Sequence, residues 1–347
     1  MLNKHCFKWA AIAAMSTGLF CTGLPASAKT TTLVINAFLP AQDPMNTDVV
    51  VPWAEDVMKA TEGRVQIKIP PTSLAAPDQL WNMVRNSVVD GAYLFNGNVA
   101  SQLKLMQLPH LPFLATTAEA NSIALWRTYE KFFKKADEYK NVHLLGVMVT
   151  SPGIMYSLKQ PLQSMHGLDG IKVWALPGVP AKIMEMTQAG VISTPAAKMS
   201  EIIAGGAVDA YVGISDLNSD MFKVIRYVKN ATVFPGGLST PSFSLIINKR
   251  KWESIDEGDR EKITALSGEA FARRIAAFDK AEKVSHAAAL KMGIAYENAS
   301  PKFIAEMKEG ADKLEAEWIK AADAQGVDGK AALEYYREQS QSLAERK

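Results

Sequence analysis

The sequence predicts an α/β protein built as two similar lobes around a cleft. The first observation is the stretch from Gly167 to Ser215. A short apolar strand over residues 171–175 ends in Leu176-Pro177-Gly178. A helix then opens with Pro180 in its first turn and stops at Gly190. A second helix over 198–204 ends at Gly205-Gly206, and a strand follows over 207–212. Strands and helices alternate as in a parallel sheet, with ligand space at the C-terminal strand ends. The second observation is that the same unit occurs earlier. Strands over 32–38 and 65–69 each precede a helix, the first over 47–60 with a stop at Gly63, the second opened by Pro77-Asp78. A strand running to Phe95 closes the unit. The third is a literal echo, Val89-Asp90-Gly91-Ala92-Tyr93 against Val208-Asp209-Ala210-Tyr211.

The remaining elements follow in order. Residues 142–150 (VHLLGVMVT) read as a buried strand ending near a hinge, and 242–248 (SFSLIIN) as a strand returning to the first lobe. Asp256 caps a long helix with Ile263, Leu266, Ala270, Ile275 and Phe278 on its apolar side. Residues after 300 read as surface helices with a frayed tail after Gln339. The expected division is lobe one over 30–150 and 241–278, lobe two over 151–240 and 279–330, and a tail over 331–347.

Residues 1–28 read as a secretory signal. Lys4 and Lys8 supply the positive start, an apolar run spans 9–24, and Ala26-Ser27-Ala28 forms a cleavage site after Ala28. A retained anchor is the alternative, but Ser, Thr, Gly and Cys interrupt the run before a clean span of roughly 20 residues. Both cysteines, Cys6 and Cys21, lie in this segment, so the exported chain holds neither disulfide nor thiol nucleophile. Cleavage removes two of 38 basic residues and no acid, leaving 36 against 36 acidic ones. That balance argues against nucleic acid or an anionic membrane as partner. The expected location is the periplasm.

No catalytic signature stands out. His-Glu-x-x-His, Gly-x-Ser-x-Gly, Walker A and Gly-x-Gly-x-x-Gly are all absent. His110, His143, His166 and His286 are scattered, with no pair at metal-ligand spacing. Ser101-Gln102-Leu103-Lys104 matches Ser-x-x-Lys but lacks the partner motifs of penicillin-recognising enzymes. No converging acid, base and nucleophile is proposed, so an enzyme, a metal and a cofactor are not expected.

Several landmarks occur in order along the chain. They are Glu62-Gly63-Arg64-Val65, Val88-Val89-Asp90-Gly91, Leu108-Pro109-His110-Leu111-Pro112-Phe113, Leu168-Asp169-Gly170-Ile171-Lys172-Val173, Gly206-Ala207-Val208-Asp209, and Ile247-Asn248-Lys249-Arg250-Lys251-Trp252 before a long helix. In these the chain resembles the extracytoplasmic solute-binding proteins of tripartite ATP-independent periplasmic (TRAP) transporters, the dicarboxylate-binder type. The resemblance implies a two-lobe periplasmic-binding-protein-like fold with a long helix across both lobes. It implies a receptor that captures a small organic solute in the cleft and delivers it to membrane permease subunits.

The family's usual site residues are altered here. An arginine commonly follows the Gly-x-Lys-Val strand and pairs with the solute carboxylate; that position is Trp174. A second arginine falls near Ile154 and a common Glu on Lys198. The polar end of the first strand is Phe38, and an acidic position of some members is Phe95. With Tyr93 and Tyr211 on the echoed strands, the expected site is aromatic, with Asp216 and Asn218 as polar contacts. Phe38, Phe95, Tyr93 and Tyr211 read equally as core, since alternation along a strand aims a side chain either way, whereas Trp174, at its strand's C-terminal end before Leu176-Pro177-Gly178, is expected to point to the cleft. Such a pocket disfavours a bare carboxylate and suits an aromatic neutral solute or an amine. An organic acid held by Lys198 or by backbone N–H groups near Pro77 stays open. So do two other roles, a binding protein serving a sensor and an enzyme on the same fold.

Overall fold

A computed structural model of the protein describes residues 30–346. The expected signal sequence and its cleavage site lie outside the described residues. Among the described residues, eleven strands are numbered in chain order. They are β1 Thr31–Ala37, β2 Val65–Lys68, β3 Gly91–Phe95, β4 Val142–Val149, β5 Ile154–Ser157, β6 Lys172–Ala175, β7 Gly190–Ser193, β8 Ala210–Ile214, β9 Asn230–Val233, β10 Ser242–Asn248 and β11 Ala295–Asn298.

The strands form two sheets flanked by helices. One has the order β2-β1-β3-β10-β4, the other β11-β9-β5-β8-β6-β7. Read from β7 back to β9, the second sheet repeats the pairing senses of the first. In each, a single strand opposes the rest: β10 in one and β5 in the other. These two follow the crossings from the opposite lobe. A chain leaving β4 or β9 at the cleft must enter the next lobe from the cleft edge, so its first strand runs backwards.

The echoed Val-Asp pairs have one structural role in both lobes. Asp90 Oδ2 accepts the backbone N–H of Val34 on β1 at 2.8 Å, and the Asp90 carbonyl accepts from Asn248 at 2.7 Å. Asp209 Oδ2 accepts the backbone N–H of Lys172 at 3.0 Å, and its carbonyl accepts from Leu158 at 2.9 Å. Each carboxylate thus locks the start of a strand to its parallel neighbour. A lysine pairs with each acid: Lys251 with Asp90, Lys159 with Asp209. Gly91 follows Asp90 for a steric reason. A Cβ there would sit 2.7 Å from the carbonyl oxygen of Ile246 on β10.

The expected long helix beginning at Asp256 is broken. Asp256 does cap it, accepting from Gly258 N at 3.0 Å, but the chain forms Glu257–Leu266, Gly268–Arg273 and Ala276–Lys291. Ser267 is extended and Gly268 has a φ of +59°, with Trp126 packed where its side chain would be. Two later helices bridge the lobes instead. On Ala276–Lys291, Asp279 accepts the backbone N–H groups of Ala118 and Glu119 at 2.7 and 3.0 Å. One turn on, Glu282 accepts from Asp216 N and Leu217 N at 3.0 and 3.3 Å and from Ser215 Oγ at 2.7 Å. One helix therefore supplies the anionic cap for a helix of each lobe, Ala118–Thr128 and Asp216–Met221. Burial pushes the Glu282 carboxyl up to about 7. The second bridge is Pro301–Asp323, where Trp318 Nε1 donates to the Lys104 carbonyl while the helix lies on Val179–Glu185. Residues read as a frayed tail are a helix, Gly329–Ala344, with Tyr336 and Ser340 buried and Ser340 Oγ bonded to Asn121 at 2.6 Å.

The crossings between lobes pair with each other. Thr150 N donates to the Pro241 carbonyl at 2.9 Å and Gly153 N to Ser239 at 2.7 Å. Beside them, His110 from the Leu-Pro-His-Leu-Pro-Phe landmark is fully buried. Its Nε2 accepts the backbone N–H of Ser242 at 3.0 Å, and its ring stacks on Phe95 at 5.5 Å. Asn96 Nδ2 donates to Ser242 Oγ at 2.9 Å. This network holds the ends of β3 and β10 in place at the cleft.

Two predictions arise here. Gly91→Ala forces β3 and β10 apart and should cost about 1–3 kcal/mol of unfolding free energy in urea titration; a loss under about 0.5 kcal/mol contradicts the packing described. His110 is neutral, because burial pushes it down to about 3. An unfolded histidine titrates near 6.5, so between pH 6.5 and 3 the unfolded chain binds the extra proton. Stability should fall as pH drops through that window, by up to about 1.4 kcal/mol per unit from this residue. His110→Gln should be less steep than the wild type between pH 6 and 4; equal slopes refute the assignment.

Candidate binding cleft

A cavity of about 660 Å³ lies between the sheets, at the C-terminal ends of the parallel strands. The first lobe contributes Phe38 after β1, Pro71 to Ser73 after β2, and Phe95 at the end of β3. The second contributes the corresponding positions: Leu176 and Pro177 after β6, Pro195 to Ala197 after β7, and Ile214 at the end of β8. Phe243 enters with the returning strand β10, and Phe222 and Asn218 come from the chain after β8. Asp43, Gln42, Asn98, Thr72, Ser73 and Asn218 supply the polar groups.

One wall is aromatic. Phe38 stacks on Phe243 with centroids 6.2 Å apart, and Phe95 meets Phe243 at 5.5 Å. Tyr93 backs this wall, 5.3 Å from Phe38 and 5.4 Å from Phe243. Phe222, Leu176 and Ile214 belong to the opposite lobe. Asn36 on β1 positions the rim, donating to Ser73 Oγ and accepting from Leu74 N.

The electrostatics are unusual for an anion receptor. Among the described residues that line the cavity there is no Lys, Arg or His, and the single ionisable group is Asp43. Asp43 is 3% exposed and accepts the Met45 backbone N–H at 2.8 Å through Oδ1. Burial pushes its carboxyl up to about 7.

The expected site residues separate into two groups. Phe38, Phe95 and Asn218 line the cavity. Tyr93, Ile154, Trp174, Tyr211 and Asp216 do not. Trp174 was expected to point into the cleft from the strand end. It is fully buried one residue short of that end, and its Nε1 donates to Thr194 Oγ1 at 3.0 Å. Leu176, two residues on, takes the cleft position. Tyr211 is fully buried and stacks on Tyr156 at 4.7 Å. Ile154 pairs with Ile214 across β5 and β8 and lines a separate space behind the crossings. Asp216 faces that space. It accepts from Tyr156 OH at 2.7 Å and from Tyr296 OH, and bonds His286 Nδ1 at 2.7 Å. Lys198 is exposed and outside the cavity lining.

Phe243, Phe222 and Asp43 escaped sequence reasoning. Phe243 was legible in principle: a strand returning from the other lobe must start at the cleft. Asp43 lies ahead of the predicted helix over 47–60, where the sequence carries no site signal.

Comparisons with known proteins agree with this architecture. The model of the DctP family, bacterial extracellular solute-binding protein family 7, matches residues 35–321. The outer membrane transporter protein TsaT of Comamonas testosteroni is 41% identical over 317 residues, covering 91% of this chain and 94% of that one. A TRAP periplasmic solute-binding protein from Bordetella bronchiseptica, solved with (R)- and (S)-mandelate, superposes with a TM-score of 0.85. It is 30% identical, over 90% of this chain and 99% of its own. A marine-metagenome TRAP solute-binding protein specific for aromatic acid ligands, from an unidentified microbe and solved with 3-hydroxybenzoate, gives a TM-score of 0.81 at 27% identity, over 90% and 99% of the two chains. The chain belongs to bacterial extracellular solute-binding protein family 7, and is a TRAP-type solute-binding protein rather than an enzyme.

Proposed function

We propose that this protein is the periplasmic receptor of a TRAP transporter whose solute is a small aromatic acid. The lobes close over the solute by hinge motion, and the loaded receptor delivers it to the membrane permease subunits. The observation that carries the reading is the aromatic wall of Phe38, Phe95 and Phe243 on one side of the cavity. An aromatic ring seated on this wall gains about 0.5–1.5 kcal/mol per ring pair beyond its area burial. An aliphatic dicarboxylate gains nothing comparable and brings two charges into a space with no opposing charge. The mandelate-bound and hydroxybenzoate-bound relatives support the same solute class. Trp174, at the position the resemblance gives to an arginine, is buried outside the cavity and adds neither a ring nor a cation to it. Export through an N-terminal signal ending at Ala28 belongs to the proposal, as does the partnership with the permease.

Thermal unfolding of residues 29–347 tests the reading. (R)-Mandelate or 3-hydroxybenzoate at 100 times its dissociation constant should add about 2.7 kcal/mol, a rise of several degrees in Tm. Succinate should leave Tm unchanged. Stabilisation by succinate alone would defeat the proposal. Phe243→Ala should weaken aromatic-acid binding by about tenfold, the equivalent of one lost ring contact of about 1.4 kcal/mol. Trp174→Phe should lower Tm through the lost Thr194 bond yet leave the dissociation constant within about threefold. A large loss of affinity in Trp174→Phe would return that ring to the site.

A further inference from the structure

We propose that Asn98 is a specificity-determining residue of the cleft: its side-chain Nδ2 donates to the carboxylate of the aromatic solute and so favours the acid over its neutral analogues. This deepens the aromatic-acid reading and rests on it. The segment Phe95-Asn96-Gly97-Asn98 ends β3 and turns at once into the short helical turn Asn96–Val99. Each residue has a separate task. Phe95 belongs to the aromatic wall. Its ring packs against Gly97, where a Cβ would lie 2.4 Å from two ring carbons. Asn96 is fully buried, and both ends of its amide are committed. Nδ2 donates to Ser242 Oγ at 2.9 Å and Oδ1 accepts from Ser244 Oγ at 2.7 Å. The Asn96 carbonyl accepts from Gln107 Nε2 at 2.9 Å. The turn is thus fastened to β10 and to the chain behind it, and it presents Asn98 to the cavity just past the wall.

Elimination among the polar lining residues points to the same amide. Asp43 has Oδ1 on the Met45 backbone N–H and Oδ2 buried, so its carboxyl does not open onto the cavity. Ser73 has one hydroxyl hydrogen, and it goes to the Ala75 carbonyl at 2.7 Å. Asn218, on the opposite lobe, has Oδ1 3.3 Å from Ser215 Oγ in the cap of its own helix. Gln42 and Thr72 are exposed, where water competes for them. Asn98 is half-buried, and its side chain makes no hydrogen bond among the described residues. Its NH₂ group therefore has two donors to offer and a fixed backbone behind them. An ionised acceptor makes the stronger, charge-assisted bond with such a donor. A ring seated on Phe38 and Phe243 gains the same stacking whether it carries a carboxylate or a carboxamide, so the amide donor is what separates the two.

The test is calorimetric titration at pH 7 with 3-hydroxybenzoate and its neutral analogue 3-hydroxybenzamide. The wild type should bind the acid more tightly; a carboxamide that binds as tightly overturns the inference without any variant. Asn98→Ala should weaken the acid about 10- to 100-fold and the carboxamide by less than about tenfold. Asn98→Asp keeps the shape but sets a like charge against the carboxylate, and should reverse the order of the two solutes. Asn98→Gln keeps the amide and should keep the preference for the acid. Equal losses for both solutes in Asn98→Ala mean a purely structural role, and overturn the assignment. So does a preference for the acid that persists in Asn98→Asp. Either result leaves the aromatic-acid receptor standing. Failure of both 3-hydroxybenzoate and (R)-mandelate to bind the wild type overturns this inference together with the proposed function.

Discussion

Two carboxylates one turn apart on the helix Ala276–Lys291 tie the halves of this protein together. Asp279 caps a helix of the first lobe and Glu282 a helix of the second. Buried helix N-termini leave N–H groups that must find acceptors, and here a single rigid element supplies both. The lobes are therefore held at a fixed spacing on one side, beside the paired crossings at Thr150–Pro241 and Gly153–Ser239. Opposite that side the strand ends face each other with only the cavity between them. Any closure over a solute has to pivot about this clasp.

The duplicated sheet order explains why the cleft lies where it does. Equivalent strand ends in the two lobes point at one another, so equivalent positions become its walls: Phe38 with Leu176, Phe95 with Ile214, Pro71 with Pro195. The walls are apolar, with a fringe of amides and hydroxyls and one carboxyl. On the proposed reading, a ring is held by burial and stacking, and the acid group is met by neutral donors rather than by a countercharge.

Much of the architecture was legible in the sequence, for reasons that are local. Gly63 and Gly205-Gly206 punctuate helices, and short apolar runs between such stops leave little choice but strands; Gly190, read as a helix stop, instead opens β7, since the helix already ends at Glu185. The repeated Val-Asp pair marked the duplication, and its carboxylates turn out to lock strand starts at the edge away from the cleft. The candidate site was less legible, because membership depends on which residue lies just past a strand's end. Counting along the chain placed Trp174 at that point, whereas β6 ends at Ala175 and the chain turns into the cleft at Leu176. Tyr93 and Tyr211 are fully buried, Tyr93 behind the wall of Phe38 and Phe243 and Tyr211 stacked on Tyr156. The break at Ser267-Gly268 was hidden because it arises from Trp126, about 140 residues earlier in the chain, packing against the glycine. Asp43 reaches the cleft lining through tertiary routing that no local pattern announces, whereas Phe243 follows from the returning strand that starts there.

A crystal structure of the protein grown with 3-hydroxybenzoate tests the central claim most directly. The account predicts a closed cleft with the aromatic ring against Phe38 and Phe243 and the carboxylate met by neutral amide, hydroxyl or backbone N–H donors of the lining. A solute carboxylate paired instead with a lysine or arginine that swings into the cleft, or a ring seated away from that wall, would contradict it.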